Sequence, residues 1–219
     1  MKKDFSQLLN PERALIFRIV HKSNMEWILQ HGLACGNDPK SHYAKWINIG
    51  NPELIQKRAI RPVHITPYGY LNDYVPFYFT PFSPMMKNIR SGWGGIVQRP
   101  NEDIVILVSS LHKIQNEQLD FVFTDRHAYY QWSNFYNNLN DLNQVSWGLL
   151  QARDFTRDQN NPEKFERYQA EALIYQNCPL HALLGIVCYN EDVRKELCLL
   201  QNKYKCSIRV EIRPTWYFS

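Results

Sequence analysis

Short apolar runs that do not alternate regularly with helices restrict the fold of this chain more than any other feature. The runs are rich in Val, Ile, Leu and aromatic side chains and predict β-strands at residues 14–20, 103–109, 121–124, 168–175, 185–189 and 206–212. A doubly wound parallel sheet would require strict alternation of strands and helices. The sequence therefore predicts one domain over residues 1–219, of the α/β (α+β) class with a mixed sheet.

Helix ends are marked by side chains that can satisfy free backbone groups. The S-x-x-E sequence that begins at Ser23 is a capping box and predicts a short helix that ends at Gly32. Asn51, followed by a proline, predicts the start of a second helix that carries Arg58 near its end. Asn190 predicts the start of a third helix, which runs to about residue 202.

Three segments lack a clear period. Residues 34–50 are polar and long for a plain connection. Residues 73–86, DYVPFYFTPFSPMM, interleave aromatic residues with prolines and predict a short strand that enters a rigid, irregular loop. Residues 125–165 are rich in Asn, Trp, Tyr and Arg, and no element is predicted there.

The cysteine and histidine patterns do not indicate a metal site. The five cysteines form no CxxC pair, so we interpret them as reduced thiols in the core; they are Cys35, Cys178, Cys188, Cys198 and Cys206. The seven histidines are scattered and form no HExxH motif. We expect no structural or catalytic metal.

Charge and hydropathy leave the partner open but disfavour a membrane protein. The formal net charge of +4 permits nucleic-acid binding without demonstrating it. No apolar run approaches the ~20 residues that span a bilayer. The apolar stretch near the N-terminus is interrupted at residues 10–13, NPER, which is unlike a signal peptide. We expect a cytoplasmic protein with no membrane partner.

Residues 21–24, HKSN, are the first candidate site because they lie where the first predicted strand meets the first predicted helix. A helix N-terminus offers unpaired N–H groups to phosphate or ribose oxygens, and His21 could hold a ribose hydroxyl. Alternatively, Ser23 only caps the helix and His21 only packs at the strand end. Neither GxGxxG nor GxxxxGK[ST] is present, so another fold would have to hold a nucleotide.

Glu171 and Arg58 are the other candidates. Glu171 follows Gln169 by two residues, and in a strand both would point to the same face. An amide beside a carboxylate can orient an acceptor and stabilise a ribosyl cation, although ordinary edge-strand polarity gives the same pattern. The Arg58 guanidinium suits a diphosphate, or it is a solvated surface group.

Four segments in order resemble the DarT family of DNA ADP-ribosyltransferase toxins, relatives of the diphtheria-toxin and PARP-like transferases. They are FRIVHKSNMEWILQHGL (17–33), KR (57–58), DYVPFYFTPFSPMM (73–86) and RYQAEALIY (167–175). Two positions depart from the family pattern: Phe82 stands where an arginine is expected, and Val20 where a threonine is expected. The first departure removes one expected phosphate contact.

The resemblance implies the ADP-ribosyltransferase fold, a split mixed β-sheet core with peripheral helices. It implies Glu171 and Arg58 as catalytic residues, an element at 34–58 that closes over NAD⁺, and a DNA loop at 126–169. The residues implied to bind NAD⁺ are His21, Lys22, Ser23, Asn24, Gly32, Arg58 and Tyr74. Those implied to bind DNA are Met86, His127, Trp147, Arg153, Tyr168 and Gln169.

The implied activity is transfer of ADP-ribose from NAD⁺, without a metal, to a base in single-stranded DNA, most simply thymine. Glu171 would stabilise the ribosyl cation and would also accept the proton of the base if burial raises its pKa. Arg58 would orient phosphate and base. Alternatives are a transferase of the same fold that modifies guanine, RNA or protein, and a non-enzymatic nucleic-acid-binding module. The family further implies a bacterial toxin that blocks replication and a DarG-like macrodomain antitoxin.

Overall fold

The chain forms a large sheet surrounded by short helices. The computed structural model describes residues 5–39 and 45–218. The strands found there are β1 (Leu15–His21), β2 (Leu33–Ala34), β3 (Tyr74–Tyr78), β4 (Ile104–Ser110), β5 (Phe121–Thr124), β6 (Phe135–Tyr136), β7 (Glu171–Tyr175), β8 (Asn177–Cys178), β9 (Gly185–Cys188) and β10 (Val210–Ile212). The helices are α1 (Met25–His31), α2 (Pro52–Ala59), α3 (Pro84–Ser91), α4 (Leu111–Asn116), α5 (Trp147–Ala152), α6 (Glu163–Arg167) and α7 (Glu191–Tyr204).

The main sheet is mixed. Over the described residues its strand order is β10-β9-β4-β1-β3-β7-β5-β6, and β2 pairs with β8 in a separate small ladder. β9 and β10 are parallel, and the other neighbours are antiparallel. β4 lies between two partners and is almost wholly buried, which explains its continuous apolar sequence. The predicted α/β (α+β) class is confirmed.

The sheet is split between β1 and β3. Phe17 pairs with Tyr78 at the end of β3, and in these two fully described strands no further register pair follows. Pro76 explains the break, because proline has no N–H to donate and its carbonyl faces β1. The Arg18 side chain bridges the gap instead, with Nη1 donating to the Pro76 carbonyl at 2.8 Å. The strands therefore diverge into a wedge in the middle of the sheet.

The predicted capping box at Ser23 is wrong. A short 3-10 turn, Lys22–Asn24, precedes α1, and Asn24 occupies the N-cap position. The Ser23 amide donates to the His21 ring Nδ1 at 3.1 Å, which ties the chain to the strand end and delays the helix. Gly32 ends the helix with φ 75° as predicted, and a Cβ there would lie 2.7 Å from the Cys178 carbonyl oxygen.

The other two helix starts are confirmed. The Asn51 side chain accepts from the Leu54 amide at 3.1 Å and caps α2. The Asn190 side chain accepts from the Val193 amide at 3.1 Å and caps α7. The helices α3, α4, α5 and α6 were not predicted, and among them α3 replaces an explicit expectation. Ser83 caps it immediately before a proline, so residues 84–91 are helical where the sequence suggested an irregular loop.

Two predicted strands begin later than expected. Tyr168 and Gln169 are not in β7, because helical hydrogen bonds continue past α6: the Tyr168 amide donates to Lys164 and the Gln169 amide to Glu166. The period-2 argument that placed Gln169 beside Glu171 on one strand face is therefore wrong. The strand predicted from residue 206 begins only at Val210.

The cysteines are reduced, but not all of them are in the core. None of the five, all of which lie in the described ranges, forms a disulfide. Cys35, Cys178 and Cys188 are buried as predicted, whereas Cys198 and Cys206 are half-buried. The prediction of core thiols therefore holds for three positions and is wrong for two.

Candidate active site

The wedge between β1 and β3 contains a cavity of about 330 Å³. This volume lies at the lower end of the range typical of small-molecule sites. Its walls come from β1, α1, β3, α2 and the segment before α2; they include Arg18, Val20, Asn24, Trp27, Trp46, Asn48, Asn51, Arg58, Tyr74, Tyr78, His127 and Glu171. The split in the sheet thus provides a pocket lined with both aromatic and charged groups.

Glu171 is fixed at the end of the sheet where β7 begins. It pairs with Tyr78, which itself pairs with Phe17, so the carboxylate lies on the row at which the sheet starts to open. Its backbone amide donates to the Thr124 hydroxyl at 3.1 Å. The residue is only 2% exposed. A buried carboxylate requires partners, and the neighbouring residues supply them.

Arg58 is the first partner of Glu171. Its Nη1 lies 2.9 Å from Oε2 and 3.2 Å from Oε1 of the carboxylate. Arg58 reaches the pocket because it lies in the last turn of α2, whose start is set by Asn51. The side chain is 9% exposed, so this is a buried ion pair and not a surface contact. The solvated-surface alternative for Arg58 is thereby excluded.

His127 and the Ala128 amide complete the surroundings of the carboxylate. The Ala128 N–H donates to Glu171 Oε1 at 2.9 Å, and His127 Nδ1 lies 3.1 Å from the same oxygen. The Tyr129 amide also lies 3.2 Å from His127 Nδ1. Nδ1 can accept from Tyr129 or, when it carries a hydrogen, donate to Glu171. His127 thus couples the segment after β5 to the carboxylate.

Glu171 is held in its charged form. Burial raises its pKa, but Arg58, His127 and the Ala128 amide together hold the pKa below its ordinary value. Burial lowers the pKa of His127, and the opposing charge of Glu171 does not offset this. The free protein near neutral pH therefore contains an ionised Glu171, a charged Arg58 and a neutral His127.

Arg18 is a second cation in the cavity wall, and the sequence analysis did not single it out. Burial and then the charge of Arg58 lower its pKa to about 10, so it remains charged at neutral pH. Arg18 Nε and Arg58 Nη2 are buried and have no hydrogen-bond partner among the described residues. Unpaired buried donors are rare in native proteins. Two such donors in one cavity suit a ligand with anionic or carbonyl oxygens.

Asn24 and the segment before α2 form the opposite wall. The Asn24 amide group makes two hydrogen bonds with the backbone of Ile47, both at 2.9 Å. Residues 46–51 and part of α2 line the cavity. Residues 40–44 of the predicted closing element at 34–58 lie outside the described residues. Asn24 therefore positions the part of this element that contacts the cavity.

The other residues predicted to bind NAD⁺ lie at varying positions around the cavity. Tyr74 lines it, with its hydroxyl donating to the Tyr68 carbonyl at 2.6 Å. The remaining four do not line it in the described structure. The His21 ring lies 3.9 Å from Asp103, and the Lys22 amine lies 3.1 Å from Glu196. Ser23 is exposed, and Gly32 contacts the chain at Cys178.

The residues predicted to bind DNA fall into two groups. Met86, Trp147 and Tyr168 are core residues, exposed by 1%, 8% and 1%. All three belong to the main hydrophobic core. In the second group, His127 touches the catalytic candidates, and Gln169 is half-buried, with Nε2 donating to the Phe165 carbonyl at 3.1 Å. Arg153 is exposed, with its guanidinium carbon 3.8 Å from the centroid of the Phe82 ring.

Known proteins are similar to this chain in fold and in sequence. A family model described as ssDNA thymidine ADP-ribosyltransferase, DarT, matches residues 17–218. The chain belongs to the DarT family. A DNA ADP-ribosyl transferase of Escherichia coli O127:H6 (strain E2348/69 / EPEC) is 57% identical to it over 219 residues, with full coverage of both chains.

Solved structures of a second DarT family member agree with this fold. Thermus sp. 2.9 DarT in complex with ADP-ribosylated ssDNA superposes with a TM-score of 0.87 at 33% identity, over 95% of this chain and 98% of that one. The same protein in complex with NAD⁺ gives a TM-score of 0.81 at 32% identity, over 95% and 100%. The predicted ADP-ribosyltransferase fold is thereby confirmed.

Two structural findings accompany the family assignment. Within residues 5–39 and 45–218, no group of three His, Cys, Asp or Glu side chains is arranged to hold a metal ion. In the same ranges, no helix is both long and apolar enough to cross a membrane.

Proposed function

We propose that this chain transfers ADP-ribose from NAD⁺ to thymidine in single-stranded DNA, with the wedge between β1 and β3 as the active site. The observation that carries the proposal is the buried Arg58–Glu171 pair in a cavity that also holds unpaired guanidinium donors. The Thermus DarT structures with NAD⁺ and with ADP-ribosylated ssDNA, at 32–33% identity, support the choice of substrates.

The cavity suits NAD⁺ by charge as well as by volume. Arg18 and Arg58 are cations, and Glu171 is an anion, so the wall carries one net positive charge. A dinucleotide diphosphate can accept from guanidinium donors that otherwise have no partner. Trp27, Trp46 and Tyr78 offer aromatic faces in the same wall, on which a planar ring can stack.

Glu171 acts by charge. Cleavage of the bond between ribose and nicotinamide releases a neutral leaving group, so no general acid is required. The barrier is the positive charge that develops on the ribose, and a fixed carboxylate in a low-dielectric site stabilises it. Such a fixed group is commonly worth ~3–4 kcal/mol, or 10²–10³ in rate. Arg58 and the Ala128 amide hold the carboxylate in place before the substrate arrives.

The structure does not meet the condition under which Glu171 was expected to act as a base. That role required burial to raise its pKa, whereas its partners lower it. We therefore assign Glu171 to cation stabilisation alone. Neutral His127, with its ring beside the carboxylate, is the better acceptor for the proton of the base. Arg58 orients Glu171 and contributes a donor to the diphosphate.

Acceptor and activity are tested together with labelled NAD⁺. The purified protein is incubated with single-stranded DNA, duplex DNA, RNA or protein, and label on each polymer is measured beside free nicotinamide. We expect label only on single-stranded DNA that contains thymidine, because a base must be unstacked to reach a buried carboxylate. Label on guanine, RNA or protein instead would establish the alternative transferases. Absence of both label and nicotinamide release would leave only a binding module.

A cellular role follows from the proposed activity. We infer that the chain is a toxin of the bacterial cytoplasm whose adducts block replication, and that a macrodomain antitoxin of the DarG type removes them. Induced expression in bacteria should stop incorporation of labelled thymidine before it stops protein synthesis. Co-expression of an active macrodomain should restore growth, and an inactive one should not. Simultaneous loss of both syntheses would argue against DNA as the target.

A further inference from the structure

A set of cations on this protein lies over aromatic rings. Lys87 Nζ is 5.5 Å from the centroid of the Phe155 ring, the Arg157 guanidinium carbon is 4.8 Å from that of Phe165, and the Arg153 guanidinium carbon is 3.8 Å from that of Phe82. All three cationic residues are exposed. We call these three cations and their three rings the cation–aromatic face.

Tyr168, which is buried, links two members of this face from beneath. Its ring lies 5.1 Å from that of Phe155, and its hydroxyl donates to the Phe82 carbonyl at 3.1 Å. The adjoining Gln169 donates from Nε2 to the Phe165 carbonyl at 3.1 Å. Tyr168 and Gln169 directly precede Ala170 and Glu171 in the chain. The surface therefore adjoins the strand that carries the catalytic carboxylate.

Lys87 and Arg157 differ from the ion-paired cations of this protein, such as Lys57 and Arg194, because no carboxylate of the described residues neutralises them. Neither forms an ion pair with any described residue. Lys203 provides the contrast: it also lies over a ring, that of Tyr204, but its amine is 2.7 Å from Glu26. A ring face holds a cation in place while its charge and its outward N–H groups stay available.

Aromatic side chains connect the part of the face at Arg157 and Phe165 with the active site. Trp132 Nε1 donates to the Glu166 carboxylate at 2.8 Å, and Glu166 adjoins Phe165, the ring beneath Arg157. The Tyr130 ring packs edge-on against His127, with centroids 5.7 Å apart, and stacks on Trp132 at 5.1 Å. Trp132 is 56% exposed. Aromatic rings thus extend from the catalytic carboxylate to the surface at α6, the helix that contains Phe165.

We propose that the cation–aromatic face binds the phosphate backbone of the DNA strand next to the nucleotide that is modified. This inference rests on the proposed function, since it names where the strand runs outside the cavity. Grooves that bind single strands combine positive charge with aromatic side chains, as this surface does. Because Lys87 and Arg157 would contact phosphates and not base edges, their contribution is independent of sequence and depends on salt.

The test is the salt dependence of DNA use. The double variant Lys87→Ala/Arg157→Ala is compared with the unaltered protein on a long single-stranded oligonucleotide at 50 and 200 mM salt. Each phosphate contact in a single strand contributes ~0.7 to the slope of log K against log salt. Loss of two contacts should lower the magnitude of this slope by ~1.4. The factor by which the KM for DNA increases from 50 to 200 mM salt should therefore be about sevenfold smaller in the variant than in the unaltered protein.

Three comparisons separate this role from a structural one. Lys203→Ala, the matched ring-bound but ion-paired cation, should keep the original slope. Lys87→Arg/Arg157→Lys, which preserves the charge, should restore it. On an oligonucleotide too short to leave the cavity, the double variant should match the unaltered protein. NAD⁺ hydrolysis without DNA should be unchanged, because the face does not line the cavity.

An unchanged slope in the double variant would overturn the proposal. So would a parallel fall in DNA modification and NAD⁺ hydrolysis, since that pattern indicates loss of structure. If the unaltered protein hydrolyses NAD⁺ but modifies no DNA, the proposed function fails first, and the two failures are thereby distinguished.

Discussion

The buried pair of Arg58 and Glu171 yields a prediction about stability that is independent of activity. In the unaltered protein the carboxylate is only 2% exposed, and Arg58→Ala removes its nearest cation. Breaking a buried ion pair commonly costs 3–5 kcal/mol, because an uncompensated charge remains. His127 and the Ala128 amide still contact Glu171, so we expect a loss near the lower limit, about 3 kcal/mol. For a chain of this size, that corresponds to a fall of roughly 6–12 °C in Tm.

The loss should depend on pH in a defined direction. In the unaltered protein, the pKa of Glu171 lies below its ordinary value, so its stabilising contribution is present above the unfolded pKa of ~4.3 and is lost as pH falls through the folded pKa. In Arg58→Ala, burial raises the pKa, and the folded state then favours the protonated acid. The Tm difference between the two proteins should therefore be large at pH 7.5 and should shrink towards pH 5.

Thermal unfolding followed by circular dichroism at both pH values measures this difference. Lys57→Ala, on the same helix but in an exposed pair with Glu53, is the control and should change Tm by little. Arg58→Ala/Glu171→Gln should recover most of the stability at pH 7.5 without recovering activity. A Tm loss in Arg58→Ala that grows towards pH 5, or no loss at all, would refute the account of this pair.

Three further perturbations separate cavity, wall and DNA contacts. Arg18→Gln should weaken NAD⁺ binding about tenfold or more in calorimetry, since a charged hydrogen bond contributes about 1.5–3 kcal/mol; unchanged affinity would remove Arg18 from the site. Asn24→Ala should raise the KM for NAD⁺ by loosening Ile47, and a fall in kcat alone would contradict this. Trp132→Ala should weaken DNA binding by ~1–3 kcal/mol at constant Tm, whereas Trp147→Ala should lower unfolding stability by ~3–5 kcal/mol; the reverse pattern would show that exposure does not distinguish their roles.

The sequence predicted the elements that local chemistry determines. The strands at 121–124 and 185–189 and the helices capped by Asn51 and Asn190 were found because apolar runs and caps act over a few residues. An N-cap residue followed by proline located α2, and Ser83-Pro84 has the same pattern at the start of α3. The helix α3 was therefore predictable, but the surrounding aromatic residues favoured an irregular loop. Gln169 was misplaced because nothing local distinguishes the end of a helix from the start of the strand that follows it.

The site was predicted only in part, because its geometry depends on contacts between distant segments. Glu171 and Arg58 were candidates from the sequence, and the family resemblance gave them catalytic roles. Their ion pair, however, spans 113 positions in the chain, and no spacing rule predicts it. Arg18 could have been found, since a charged residue inside an otherwise apolar strand requires a partner or a ligand. His127 was expected at the DNA, and its additional contact with the Glu171 carboxylate was not predicted.

The most direct test of the central claim is ADP-ribose transfer by Glu171→Gln, which keeps the shape of the side chain and removes its charge. A single-stranded oligonucleotide with one thymidine is incubated with NAD⁺, and the mass of one added ADP-ribosyl group is followed over time. We predict a rate lower by 10²–10³ in a variant that remains folded at the assay temperature, because cation stabilisation by the carboxylate is lost. A folded variant that transfers ADP-ribose within tenfold of the unaltered rate would contradict the account.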